Sequence, residues 1–158
     1  MDIQNHSEPR PDFPQRVGTE LISEWLMLTQ DRIETFADAT EDRQWIHTDP
    51  ERAQVESPFG TTVAHGFLIL SLLSHFMATT VNLNTLRMGV NYGLNRVRFV
   101  TPVPTGARLR AHFKLLALEA IAPMGDLSGE QLTWEVIIER EGIDKPACVA
   151  EWITRRYM

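Results

Sequence analysis

A chain of 158 residues is long enough for one real core, and its 43% hydrophobic content excludes a largely disordered protein. Its formal charge of -6, with acidic and basic residues mixed along the chain, excludes the broad basic surface of a nucleic-acid binder. A lone cysteine, Cys148, excludes an internal disulfide framework; it sits in the apolar run Ala147-Cys148-Val149-Ala150 and reads as a small buried side chain, not a nucleophile.

Residues 1–18 are polar and carry Pro9, Pro11 and Pro14, which predicts an extended tail ahead of a single domain over 19–158. The start lacks the basic and apolar regions of a signal peptide, so a cytoplasmic protein is expected. Thr19 to Leu28 mixes strand formers with Trp25 and reads as a first strand, with a short helix as the alternative. Thr29 then offers an N-cap to an amphipathic helix over Gln30–Ala39, built on Ile33, Phe36 and Ala37, which delivers Asp42 at its C-terminal end.

Asp42 and His47 lie five residues apart. On one uninterrupted helix, at about 100° per residue, they would sit on diverging faces, so a shared site requires a bend between them, across Gln44 and Trp45. Asp49-Pro50 reads as an N-cap followed by proline at the first helical position, so His47 ends an irregular segment against a new helix. From Val63 to Ala78 the chain is apolar on every side, which predicts a helix wrapped by the rest of the protein. A membrane span is not expected, because a span needs ~20 predominantly apolar residues and this run carries His65, Gly66, Ser71, Ser74 and His75. Gly66 falls at the start of that helix, where backbone N–H groups lack partners and glycine permits close approach.

The second half reads as strands: Val90–Val100, Ala107–Ile121, Gln131–Arg140 and Ala147–Arg156, separated by the Pro-Gly stretch at 101–106 and by glycine turns at 124–126 and 141–144. The expected architecture is α+β, an antiparallel meander curved around one apolar helix. His65 reads as a structural histidine bonding the loop before the helix, while His6, His75 and His112 show no partner in the sequence. No histidine pair has a recognisable ligand spacing, so no metal site is expected.

Glu41-Asp42-Arg43-Gln44-Trp45-Ile46-His47 and Ala64-His65-Gly66 together resemble the MaoC-like hydratase/dehydratase family, and the wording from Asp42 to His47 is most similar to its nodulation-protein-N-like branch. The family's usual pattern is Gly-Asp-x-Asn-Pro-(aliphatic)-His; here the acid and the histidine match in type and spacing, with Glu41 for glycine, Gln44 for asparagine and Trp45 for proline. The resemblance implies a hot-dog fold and reversible hydration of a trans-2-enoyl thioester to the (R)-3-hydroxyacyl thioester, on coenzyme A or an acyl carrier, with no metal or cofactor. It also implies a homodimer that forms one continuous sheet. Asp42 and His47 would act on one water, with the Gly66 N–H stabilising charge on the carbonyl oxygen. Gln44, Trp45, Ala64 and His65 would then border the substrate, and Arg98 would be a candidate for its phosphates. The competing expectations are a hot-dog acyl-CoA thioesterase and an acyl-thioester-binding module without turnover.

Overall fold

The computed structural model describes residues 10–158; the first nine positions of the expected tail, and His6, lie outside the described residues. Two short strands open the fold, β1 (Glu20–Ile22) and β2 (Leu26–Met27), where one strand was expected. They are followed by α1 (Gln30–Thr40), the one-turn α2 (Trp45–Thr48), α3 (Pro50–Glu56) and the long α4 (Gly66–Thr80). Four long strands complete the chain: β3 (Met88–Phe99), β4 (Arg108–Met124), β5 (Leu127–Arg140) and β6 (Cys148–Tyr157).

All six strands form one antiparallel sheet in the order β1-β4-β5-β6-β3, with β2 also paired to β4; only β4, β5 and β6 run as the expected meander, because β3 pairs with β6 across the sheet instead of with the next strand in the chain. Strand alternation sends one set of side chains inward: Leu109, Ala111, Phe113 and Leu115 from β4, Leu132, Trp134, Val136 and Ile138 from β5, Ala150 and Trp152 from β6. Helix α4 lies in that core and buries Leu68, Ile69, Leu72, Leu73, Phe76 and Met77. Each such side chain contributes about 1.5–3 kcal/mol of burial, more than helix propensity supplies over the same turns. This sheet curved around a central helix is the hot-dog fold. No helix among the described residues is long and apolar enough to cross a membrane.

The helix is not wrapped on every side, as its composition had suggested. Phe67 is 70% exposed and Ser71, Ser74 and His75 are exposed, because the sheet of a single chain covers only part of α4. The segment before β1 packs onto the core at its inner end. Phe13 is buried edge-on against Trp134, the Asn82 N–H donates to the Pro11 carbonyl, and the buried Arg156 donates to the Pro14 carbonyl at 3.2 Å. Cys148 is buried, and burial pushes its thiol up to about 11, which leaves it protonated and unreactive at neutral pH.

Candidate active site

Thr29 caps α1 by accepting from the Arg32 N–H, and the helix ends at Glu41 with φ 61° and ψ 12°. That left-handed conformation suits glycine, the residue usual at this place in the resembling pattern, and an L side chain adopts it at a cost. The sharp exit releases Asp42 into the bend that its spacing from His47 requires. Helix α2 then carries His47 for a single turn, before Asp49 caps α3 by accepting from the Arg52 N–H. Pro50 has no N–H to offer the Ile46 carbonyl four residues back, so tertiary partners take over. The Ile46 carbonyl accepts from the Val63 N–H at 3.0 Å, and the His47 carbonyl accepts from Gln30 Nε2 at 2.8 Å.

The loop before α4 is pinned from its other side, with the Ala64 N–H donating to the Val103 carbonyl and Val63 bridging Pro104. Its Val63 carbonyl lies 2.6 Å from His47 Nδ1. A carbonyl only accepts, so Nδ1 carries the proton and the neutral ring keeps Nε2 as its acceptor. His65 is held the same way with its nitrogens reversed: Nε2 donates to the Asp42 carbonyl at 2.9 Å, while Nδ1 is buried without a partner among the described residues. The two imidazoles stack at 3.8 Å with 26° between their planes, and Phe36 packs on His65 at 5.1 Å.

A carboxylate oxygen of Asp42, a ring nitrogen of His47 and one of His65 all lie within 4.8 Å of one another. Two hydrogen bonds of ~2.8 Å meeting at one oxygen span about 4.6 Å, so groups within this limit are near enough to share one water. Asp42 is exposed, whereas His47 and His65 are 8% and 2% exposed. Burial lowers the His47 pKa from its ordinary 6.5; the Val63 hydrogen bond opposes this, the His65 ring lowers it further, and the Asp42 charge opposes again. The stacking of the two rings, 3.8 Å apart with 26° between their planes, does not aim their in-plane lone pairs at one point as a tetrahedral ion needs.

Gly66 is the first residue of α4, and besides leaving its N–H open to close approach it makes room for a neighbouring side chain. A Cβ there would lie 2.6 Å from the Phe99 ring, so glycine is required by the close approach of β3. Phe99 went unnoticed in the sequence because nothing local distinguishes it from other strand aromatics. Gln30 and Thr62 were missed for the same reason, although Thr62 Oγ1 donates to Gln30 Oε1 at 2.6 Å beside the histidines.

The other expected residues divide. Ala64 is buried next to His65. Gln44 is exposed at the start of α2 and makes no side-chain cap, and the Trp45 ring is covered by the Arg52 guanidinium at 4.4 Å. Arg98 is not brought to the pair. Alternation along β3 turns it away from its neighbour Phe99, into a groove with Asn95, Arg96 and Glu151, and its Nη1 donates to the Val97 carbonyl. His112 finds a cross-strand partner, Glu139, at 2.6 Å.

Known proteins resemble this chain in sequence and in fold. A family described as MaoC like domain matches residues 12–125. Nodulation protein N of Rhizobium leguminosarum bv. viciae is 48% identical over 151 residues, covering 94% of this chain and 91% of that protein. 3-hydroxyacyl-thioester dehydratase Z of Mycobacterium tuberculosis is 47% identical over 133 residues, covering 84% of this chain and 85% of that one. Among solved structures, the MaoC-like dehydratase from Rhodospirillum rubrum superposes with a TM-score of 0.71 at 19% identity, over 90% of this chain and 93% of that chain. The (R)-hydratase from A. caviae does so with a TM-score of 0.66 at 22% identity, over 89% and 96%. By its sequence match and its fold together, the chain belongs to the MaoC-like domain family.

Proposed function

We propose that the protein reversibly hydrates a trans-2-enoyl thioester to the (R)-3-hydroxyacyl thioester, with Asp42 and His47 acting on one water. The observation that carries this reading is the Asp42 carboxylate and the His47 ring within 4.8 Å of each other at the start of the buried helix. The relative named a 3-hydroxyacyl-thioester dehydratase, at 47% identity, supports the same chemistry. Water adds to C3 of the conjugated thioester as the pair takes up one of its protons, and a proton is returned to C2. Negative charge that develops on the carbonyl oxygen meets the Gly66 N–H at the positive end of α4. The His47 tautomer favours this role, because Nδ1–H is committed to Val63 and Nε2 is left to accept.

An apolar cavity of about 430 Å³ runs beside the C-terminal half of α4, lined among others by Phe13, Met77, Leu86, Met88 and Trp152, and would take an acyl chain. The carrier would be coenzyme A or an acyl carrier, and the compartment the cytoplasm. The working unit would be a homodimer. β3 is a 12-residue edge strand with Tyr92, Leu94 and Phe99 exposed, next to the uncovered Phe67 of α4, and pairing two such edges would extend the sheet and cover both.

Incubation with enoyl-CoA thioesters of several lengths tests the reading, with the conjugated double bond and the released thiol followed in parallel. Loss of the double bond without thiol release is expected. Thiol release would make the protein a thioesterase, against which stands the absence of Asp or Glu from Gly66 to Thr80; binding with neither change would make it a binding module.

A further inference from the structure

We propose that Gln30 is a positioning residue for the Asp42–His47 pair, its carboxamide holding the main chain on both sides of the site. The inference rests on the reading of that pair as the reacting groups. Gln30 is the first residue of α1, where a side chain commonly points into water, yet it is half-buried here. Its Nε2 donates to the His47 carbonyl at 2.8 Å, with Glu34 one turn on as a weaker contact at 3.2 Å, and its Oε1 accepts from Thr62 Oγ1 at 2.6 Å. Thr62 is fully buried, and its own carbonyl accepts from the Thr105 N–H.

These bonds close a ring. From the His47 carbonyl the path runs through the Gln30 carboxamide to Thr62, along one peptide to Val63, and from the Val63 carbonyl back to the His47 imidazole. The short stretch that grips the His47 ring is thereby tied to the backbone that bears the ring, and the ring's angle depends on the spacing Gln30 sets. Helix α2 has no side-chain cap of its own, so without Gln30 only the Ile46–Val63 bond would hold its main chain to that stretch. A displacement of ~1 Å in a reacting group can cost on the order of 10²-fold in rate, so this strap bears on turnover beyond its share of stability.

The test uses Gln30→Leu and Gln30→Met, each of which removes both bonds without placing a new charge beside the His47 ring. Val81→Ala, which opens a small cavity in the core at the end of α4 far from the site, is the control for lost stability. For each variant, kcat and KM on a short enoyl-CoA are measured together with the NMR titration of the His47 ring, which faces Asp42 and His65. The Gln30 variants are expected to lose about 10- to 100-fold in kcat with KM within about twofold, and to show the His47 midpoint moving up as the ring loosens. The control should change neither. A folded Gln30 variant with kcat within about twofold and an unmoved titration overturns the proposal, as does a Val81→Ala variant that matches the losses. Should the unmodified protein hydrate no enoyl thioester, the titration alone decides: a shifted midpoint upholds the positioning role while the reading of the reaction fails, and an unmoved one overturns it. If Gln30→Leu does not fold, kcat and the titration of Gln30→Met decide in its place, by the same outcomes.

Discussion

Asp42 and His47 bring opposite environments to one spot: an exposed carboxylate and a buried ring whose tautomer is set by a main-chain carbonyl. If both hold the same water, Asp42→Asn and His47→Gln should each lower turnover by about 10²–10⁴-fold, and the double variant should lose little more than the worse single one. Wild-type-like hydration by a folded Asp42→Asn protein would sink the assignment, and losses that multiply would separate the two roles. Burial lowers the His47 pKa, so the ring stays neutral and able to accept a proton below its ordinary 6.5. The acid limb of kcat/KM should therefore fall below pH 6.5, and a limb above it would exclude His47 as the group titrated. The sign carries to stability: the unfolded chain takes up the proton first, so this contribution is complete above 6.5 and is lost on acidification towards the lower folded value, visible as a falling melting temperature. At Gly66, Ala and Pro would both bring a Cβ against Phe99, but only Pro lacks the N–H. The ratio of their turnovers isolates the donor and should be on the order of 10²–10³; near-equal rates would remove Gly66 as the oxyanion contact.

Between α1 and α4 the chain uses short elements whose loose ends are tied by tertiary bonds, and Glu41 is where one such element is strained. Its positive φ preserves a turn that glycine adopts without penalty. Left-handed backbone costs an L residue about 1–2 kcal/mol, and glycine's extra freedom in the unfolded chain offsets part of that. Glu41→Gly should then stabilise the protein by about 0.5–1 kcal/mol in denaturant unfolding, with the bend unchanged. A destabilised variant would mean that the Glu41 side chain contributes more than the strain it causes. Helix α4 shows the converse. Its apolar run reads clearly as a helix, but the side left bare at Phe67 and Ser71 depends on how far one sheet can reach.

For the molecule as a whole, one edge of the sheet is made of strands only 3 and 2 residues long, while the other is β3 with 12. The proposed dimer joins the long edges and covers Leu94, which is cross-strand to Trp152 and 37% exposed. Leu94→Glu would place a charge in that seam, so light scattering should show a monomer where the unmodified protein runs as a dimer, with turnover reduced. A fully active monomer at assay concentration would remove the dimer from the functional picture.

Local chemistry was enough for much of this. Period-two alternation and glycine turns announce the strands, an all-round apolar run announces the central helix, and Thr29 and Asp49-Pro50 announce helix starts, because each signal acts over a few residues. Asp42, His47, His65 and Gly66 could be named from their wording along the chain. What brings them together could not, because it depends on residues far away in sequence. Val63 lies 16 residues from the ring it orients, Thr62 lies 32 from Gln30, and β3 sends Phe99 back against Gly66. The same holds for Arg98, whose direction was decided by which face of β3 the sheet turned inward, and for Glu41, whose strain is borne by the helix end and the bend around it. Sequence by itself determined the kinds of element and the reactive residue types; the tertiary structure decided tautomer, distance and exposure, since those are set by hydrogen bonds and packing between segments that do not adjoin in the chain.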